Sequence, residues 1–361
     1  MVERRRVAYV SYEFREYSLL LVDALGSSAD VLFVVPDEFV AGRSAPAGVT
    51  DASFRRPRLR QPVAQLRSVW RMHRAIRRFR PDLIHLQHGQ LWFNLALGCL
   101  RRWPLVVTVH DPTPHSGDKE SGKTPLWIMR IGYRRAVRLI VHGEVLREAL
   151  VRHHPVDIER VVVIPHIRLG DEQLHVEVVE AGNEILFFGR IWEYKGLDYL
   201  IRAMPRIRAA VPDTRLVIAG RGEDFDRYRA LMEDPSAFDV HNEYISDDAA
   251  AVLFRRASVV VLPYTDASQS GVIALAYTYA KPVIATNVGA LPEAVDDGVT
   301  GLLIPARDEQ AIADAVIALL RDPSRRAAMG AAAKRKSDSE CAPAVVAAQT
   351  LAVYEDALRA V

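Results

Sequence analysis

Cations, glycines and small hydroxyl residues gather twice in the second half of the chain, each time behind a short apolar run. In Ile185-Leu-Phe-Phe-Gly189-Arg190-Ile-Trp-Glu-Tyr-Lys195-Gly196-Leu197 the apolar run stops at Gly189. Arg190 and Lys195 follow five residues apart, and Gly196 opens a helical pattern. Cations fixed at the carboxyl end of a strand, beside a helix N-terminus, are placed to neutralise a diphosphate. In Pro263-Tyr-Thr-Asp266-Ala-Ser268-Gln269-Ser270-Gly271-Val272 the small residues let a backbone approach a ligand. The helix starting at Val272 aims its unpaired N–H groups at the same loop, so a phosphate oxygen seated there would face Arg190 and Lys195. Taken singly, these stretches also read as two surface cations and an ordinary Ser/Gly loop. In the first half, His110 and Asp111 precede His115 and Asp118, a grouping that could suggest a metal site. Two prolines and a glycine interrupt it, so it lacks the one-face spacing of a helical metal motif, and His110 reads better as a polar contact to substrate.

These groups need a scaffold, and the pattern supplies one. Short β-branched runs at 7–10, 31–35, 83–86, 105–109, 139–141 and 161–164 each lead into a loop and a helical pattern. The rhythm pauses over 165–183, which is polar and aperiodic, and resumes with strands at 185–188, 215–219, 259–262, 282–285 and 301–304 and helices near 196–210, 272–280 and 310–321. This is an α/β chain of two doubly wound, Rossmann-like halves, with the ligand expected in a central cleft outside the strand carboxyl ends. The expected limits are 1–168 for the first domain, 169–183 for the linker, 184–336 for the second domain and 337–361 for a final helix.

With 361 residues, half of them hydrophobic and a quarter charged, the chain suits two soluble domains. Cys99 and Cys341 offer neither a disulfide framework nor a zinc knuckle, which fits a reducing cytoplasm. The basic start is followed by too short an apolar stretch for a signal peptide, and the uncharged run 83–100 carries His85, Gln87, His88, Gln90 and Asn94, poor company for a membrane span. Residues 1–160 hold 26 Lys and Arg against 16 Asp and Glu, a net +10, while the remainder nets −8. The excess peaks between Arg55 and Arg80, with ten arginines and no acid. A helix is expected over 62–79, with Val63, Leu66, Trp70, His73 and Ile76 toward one side. Such a helix reads either as a contact for an anionic membrane or phosphate-bearing acceptor, or as a solvated face in a chain with 41 Arg and 6 Lys. Asp224-Phe-Asp226 reads as acidic residues at a helix start rather than a metal-binding DxD, and no GxSxG or Walker A sequence is present. Nothing points to nucleic acid as a partner.

A third stretch makes the order specific: Lys281-Pro-Val-Ile-Ala-Thr286-Asn-Val-Gly289-Ala-Leu-Pro292-Glu293-Ala-Val, then Asp297-Gly298-Val-Thr-Gly301-Leu-Leu-Ile-Pro305. From about 184 to 321 the chain resembles the C-terminal domain of family-4-type glycosyltransferases with the GT-B fold. More loosely, Pro81-Asp82-Leu-Ile-His85, His110-Asp111-Pro112, Ile140-Val-His142, Val162-Val-Ile-Pro165 and the tail 349–358 resemble that family's first domain and closing helix.

The resemblance implies a transferase that uses a nucleotide-sugar donor such as a UDP- or GDP-sugar and retains anomeric configuration, with no permanent cofactor and no obligatory metal. Arg190 and Lys195 would hold the diphosphate after Gly189. Gln269, Ser270, Gly271 and Val272 would contact phosphates or sugar, and His110 would sit beside the reacting sugar. Glu13 and Asp111 are the acceptor-side candidates, the acceptor being a lipid-linked glycan or a small molecule. The family commonly carries two glutamates eight residues apart, where this chain has Ala267 and Leu275; it resembles a branch with an SGV loop there. Two alternatives share the fold: a sugar-nucleotide epimerase, and a degenerate subunit that binds without turnover.

Overall fold

The computed structural model describes residues 4–58, 60–113, 124–170, 178–222 and 224–361. Its described residues form two compact units. One holds residues 4–113 and 124–167 together with Ala342–Val361, and the other Arg168–Cys341. Residues 171–177 of the expected linker, and His115 and Asp118 of the discounted metal grouping, lie outside the described residues.

The first unit is built on seven strands: β1 (Arg5–Ser11), β2 (Ala29–Pro36), β3 (Val49–Phe54), β4 (Leu83–Gln87), β5 (Leu105–Thr108), β6 (Arg138–Val141) and β7 (Val161–Val163). All pairs are parallel, in the order β3-β2-β1-β4-β5-β6-β7. Strands buried on both faces have no need of a polar side, which is why β4 and β5 are buried end to end. The final helix, Pro343–Arg359, is pinned to this sheet by the Arg5–Glu355 and Arg138–Asp356 ion pairs and by the buried Tyr354 hydroxyl on His85 Nδ1 at 2.6 Å. His85 Nε2 meets the Thr108 hydroxyl at 2.8 Å, so both ring nitrogens are engaged, and burial pushes this imidazole down to about 3.

The second unit has six parallel strands: β8 (Glu184–Phe188), β9 (Arg215–Ala219), β10 (Phe238–His241), β11 (Val259–Leu262), β12 (Val283–Thr286) and β13 (Gly301–Ile304). Their order is β10-β9-β8-β11-β12-β13. Ile185 and Phe187 pack with Leu216, Ile218 and the helices Leu197–Ala210 and Glu309–Arg321 on one face. Leu186 packs with Val217, Val260 and Leu262 on the other. Lys281 of the third sequence stretch serves this fold: its ammonium meets Glu180 Oε2 at 2.9 Å, and Arg326 shares the same carboxylate.

Two features differ from the sequence reading. β3 and β10 were not expected: both are sheet edges, half-exposed and partly polar, so they lack the continuous apolar run that marks a central strand. The helix Pro62–Phe79 forms where expected, but of its expected stripe only His73 and Ile76 face inward. Gln65, Val69, Met72, His73 and Ile76 are buried, whereas Val63, Leu66 and Trp70 are about 60 % exposed. The predicted stripe drifts as spacings of three and four residues accumulate. At roughly 100° per residue the exposed trio lies about a third of a turn from the buried set.

Candidate functional site

In each sheet the chain reverses its direction of growth once, between β1 and β4 and between β8 and β11. Crevices at the carboxyl ends of such strands are where doubly wound sheets take ligands. The candidate residues fall at both reversals.

In the second unit, Gly189 and Arg190 follow β8, and the loop 263–270 follows β11. The turn Glu193–Lys195 ends at Gly196, whose φ of 64° suits glycine and where a Cβ would overlap the Pro263 carbonyl. This close approach lets the Thr265 N–H donate to the Tyr194 carbonyl at 2.8 Å, tying the two loops. Gly189 and Val272 also adjoin, a Cβ on the glycine standing 3.5 Å from Val272 Cγ2. The structure therefore brings together the two stretches that sequence placed about eighty residues apart.

The residue linking them is Tyr264, which the sequence reading quoted but gave no role. Its buried ring lies under the Lys195 ammonium, 3.6 Å from the ring centroid, and its hydroxyl meets the Ser270 hydroxyl at 3.2 Å. Thr286 donates to the Tyr264 carbonyl at 2.6 Å from β12, so the ring is held from the sheet. Burial drives the Tyr264 phenol well above its ordinary value, and it stays neutral; Arg190 opposes the shift, which places that cation in electrostatic reach. A neutral π face orients an ammonium without cancelling its charge. Ser270 precedes the helix Gly271–Thr278 without a bond from its side chain to the first-turn N–H groups, of which that of Ile273 donates to the Ser270 carbonyl at 3.2 Å. Gln269 Oε1 is buried with no hydrogen-bond partner among the described residues. Arg190 is exposed and Lys195 half-buried.

The side chains of Ala267 and Leu275 have no acceptor to offer and are used for packing. Gly289 approaches the Ala267 carbonyl so closely that a Cβ there would overlap it, and Leu275 Cδ1 lies against Gly170. Asp226 opens the helical turn Asp226–Arg229, as read from sequence.

In the first unit, His110 follows β5 and is fully buried. Phe14, whose φ is 58°, stacks on its imidazole with 3.7 Å between centroids and an interplanar angle of 15°. Tyr17 meets the ring edge-on at 5.3 Å, and His142 stands 4.9 Å away. Gln87, at the end of β4, contacts His110 Nε2 at 2.6 Å, while Nδ1 has no partner among the described residues. Burial first, then the neighbouring His142, His166, His88 and His85, holds His110 well below the ordinary imidazole value. Burial likewise takes His142 to about 3, with its Nδ1 on the Ile164 carbonyl at 2.9 Å. The assembly can orient a neutral imidazole beside a polar ligand; it is poorly suited to holding a cation. Phe14, Tyr17, Gln87 and His142 complete it, and none was singled out from sequence, because the signal is a three-dimensional convergence of β1, β4, β5 and β6. Asp111 is half-buried beside His110. Glu13 is exposed, its carboxylate 3.7 Å from Arg56.

Residues 182–322 match the family model described as glycosyl transferases group 1, and residues 15–166 match the glycosyl transferase 4-like domain. The chain is 34 % identical over 313 residues to phosphatidyl-myo-inositol mannosyltransferase of Mycobacterium leprae, covering 81 % of this chain and 79 % of the relative. The fold superposes on sucrose-phosphate synthase from Thermosynechococcus elongatus with TM-score 0.75 at 17 % identity, over 99 % of this chain and 100 % of the other. It superposes on Anabaena HepE in complex with UDP-glucose with TM-score 0.72 at 16 % identity, over 98 % and 100 %.

Proposed function

The chain belongs to the group 1 glycosyltransferases of the family-4, GT-B type, and from that premise we propose that its donor is a UDP- or GDP-sugar and its acceptor a hydroxyl group, with retention at the anomeric carbon and no obligatory metal. The observation that carries the reading is the convergence of Arg190, Lys195 and the start of the helix Gly271–Thr278 around Tyr264. Breaking the bond between sugar and phosphate builds negative charge on the departing diphosphate. Fixed cations and helix amides then stabilise the transition state more than the ground state. These groups supply the charge neutralisation that a divalent ion gives elsewhere. Gly189 leaves room for the diphosphate, Gln269 offers its unpaired carbonyl oxygen to a donor hydroxyl, and Val272 borders the phosphates. His110 contacts the sugar as a neutral imidazole, with Asp111 and Glu13 on the acceptor side. The relative named for phosphatidyl-myo-inositol supports a polyol or lipid-borne acceptor. Among the described residues no helix is long and apolar enough to cross a membrane. The exposed Val63, Leu66 and Trp70, interleaved with Arg67, Arg71 and Arg74, support a peripheral seat on an anionic inner leaflet.

The test is a thermal-shift panel of UDP, GDP, dTDP and ADP with their common sugar forms, run on wild type and Lys195→Ala. A ligand at about a hundredfold its dissociation constant adds about 2.7 kcal/mol to native stability. One selective nucleotide, with its shift cut in the variant, is the expected result. No shift from any of them at millimolar ligand would defeat the donor assignment, and a shift without turnover would favour the degenerate alternative, for which Ala267 and Leu275 are the motive.

A further inference from the structure

The helix Pro62–Phe79 ends beside a groove of about 780 Å³ that the donor and acceptor chemistry does not use. Five guanidinium groups line it: Arg6 from the second position of β1, Arg74, Arg77 and Arg78 from the last turns of the helix, and Arg80 just beyond. Among the described residues no acidic side chain lines it and none of the five makes an ion pair. What holds them is uncharged: Arg6 lies 4.6 Å from the Phe79 ring centroid, Arg74 lies 5.4 Å from that of Trp70, and Arg77 donates to the Cys99 carbonyl at 3.1 Å. His73 lines the same groove, 8 % exposed, and its buried Nε2 has no hydrogen-bond partner among the described residues.

Like charges gathered in this way repel, and folding alone gives no reason to collect them. Guanidinium forks match phosphate oxygens two at a time, and five of them exceed what one singly charged group can balance. We propose that this groove is a binding site for an anion carrying two or more phosphate charges, a phosphomonoester or polyphosphate, with His73 supplying a further polar contact at its wall. The site stands apart from the chemistry. Arg6 and Arg80 lie at the amino-terminal edge of the first unit's sheet, whereas Glu13, Gln87 and His110 lie past the carboxyl ends, about 20 Å away along β1. The proposal does not rest on the transferase reading.

One chemistry has two sources, a lipid headgroup or a free oligophosphate, and two arms separate them. Tripolyphosphate is titrated calorimetrically into Arg190→Ala/Lys195→Ala protein, which removes the proposed donor site from the measurement. The titration is repeated with Arg74→Gln/Arg78→Gln added. Binding that weakens about tenfold or more supports the groove with a soluble ligand. The second arm is flotation with phosphatidylcholine vesicles doped with phosphatidic acid, compared with phosphatidylglycerol at equal charge. Preference for phosphatidic acid that the same pair of substitutions abolishes, without measurable tripolyphosphate binding, assigns the site to a lipid headgroup. Vesicle binding lost equally for both lipids on Val63→Ser/Leu66→Ser, and untouched by the glutamine pair, leaves the membrane reading standing and overturns the groove. Indifference of both probes to the glutamine pair overturns it too. These exposed positions carry no core packing, and the melting temperature confirms that each variant folds.

Discussion

Tyr264 is the residue on which the donor-site reasoning can be broken most cleanly. Its ring centroid lies 3.6 Å from the Lys195 ammonium and its hydroxyl 3.2 Å from that of Ser270, so two substitutions separate two contributions. Tyr264→Phe keeps the π face and loses the hydroxyl contact. A net hydrogen bond is worth about 1 kcal/mol, which predicts about fivefold weaker binding of the nucleoside diphosphate. Tyr264→Leu removes the π face as well. A cation–π contact in a desolvated setting is worth about 2 kcal/mol, which predicts a further loss of about thirtyfold. Both effects should act through phosphate, because Tyr264 positions the cation and the loop and is not expected to meet the base. Calorimetry with the nucleoside diphosphate and with its parent nucleoside reads this directly: the first weakens, the second does not. Circular dichroism and melting curves check that the buried position tolerates the change. Equal weakening of both ligands in folded Tyr264→Leu would refute the positioning role and leave Tyr264 a packing residue. Phe and Leu variants behaving alike would refute the cation–π part alone.

Two further outcomes follow from the histidine assembly. Phe14 covers the His110 imidazole at 3.7 Å, so Phe14→Ala should hydrate the ring and raise its pKa toward the ordinary 6.5, read by the NMR titration of its ring carbons; an unmoved titration would mean that the cover is not what keeps it neutral. His85 and His142 are held near 3 in the folded chain, against 6.5 when free, so on acidification the unfolded chain takes up protons first. Their contribution to stability is complete above about pH 6.5 and declines below it, by about 2 kcal/mol for each at pH 5. The melting temperature should accordingly fall between pH 7 and pH 5, and a flat profile over that range would show that these rings are not buried as neutral species.

The central strands were legible because a parallel strand covered on both faces must be a short apolar run. β9 and β11 occupy the very residues that the pattern marks. The edges β3 and β10 were not, since Val49-Thr-Asp-Ala-Ser-Phe54 and Phe238-Asp-Val-His241 face solvent on one side and read as loop. The helix Pro62–Phe79 shows a different limit: its span follows from propensity and its proline start, but its inward face is set by what it packs on, and Gln65 wins a buried place by donating to the Pro57 carbonyl at 2.9 Å. For the candidate site, order and spacing found Arg190, Lys195 and the Ser270 loop because each lies directly behind a strand. They could not find Tyr264 or Phe14, whose roles exist only across loops that come together in space.

The same geometry bears on how the chain recognises its donor without the pair of carboxylates that its family commonly carries. Gly289, having no side chain, closes on the Ala267 carbonyl, and Leu275 turns a methyl toward Gly170; neither the Ala267 nor the Leu275 side chain has a hydrogen-bonding group to lend. What the loop keeps is charge and backbone: one exposed cation, one held over a ring, and a helix that begins without a side-chain cap. Such groups grip phosphate oxygens whatever sugar is attached, because they read charge rather than the pattern of hydroxyls. Discrimination among sugars must then come from groups with directional lone pairs. In the second unit the carbonyl oxygen of Gln269, which has no hydrogen-bond partner among the described residues, is such a group. On the proposed reading of this loop, diphosphate affinity rests on charge and backbone, and sugar selectivity in the second unit falls to the Gln269 side chain.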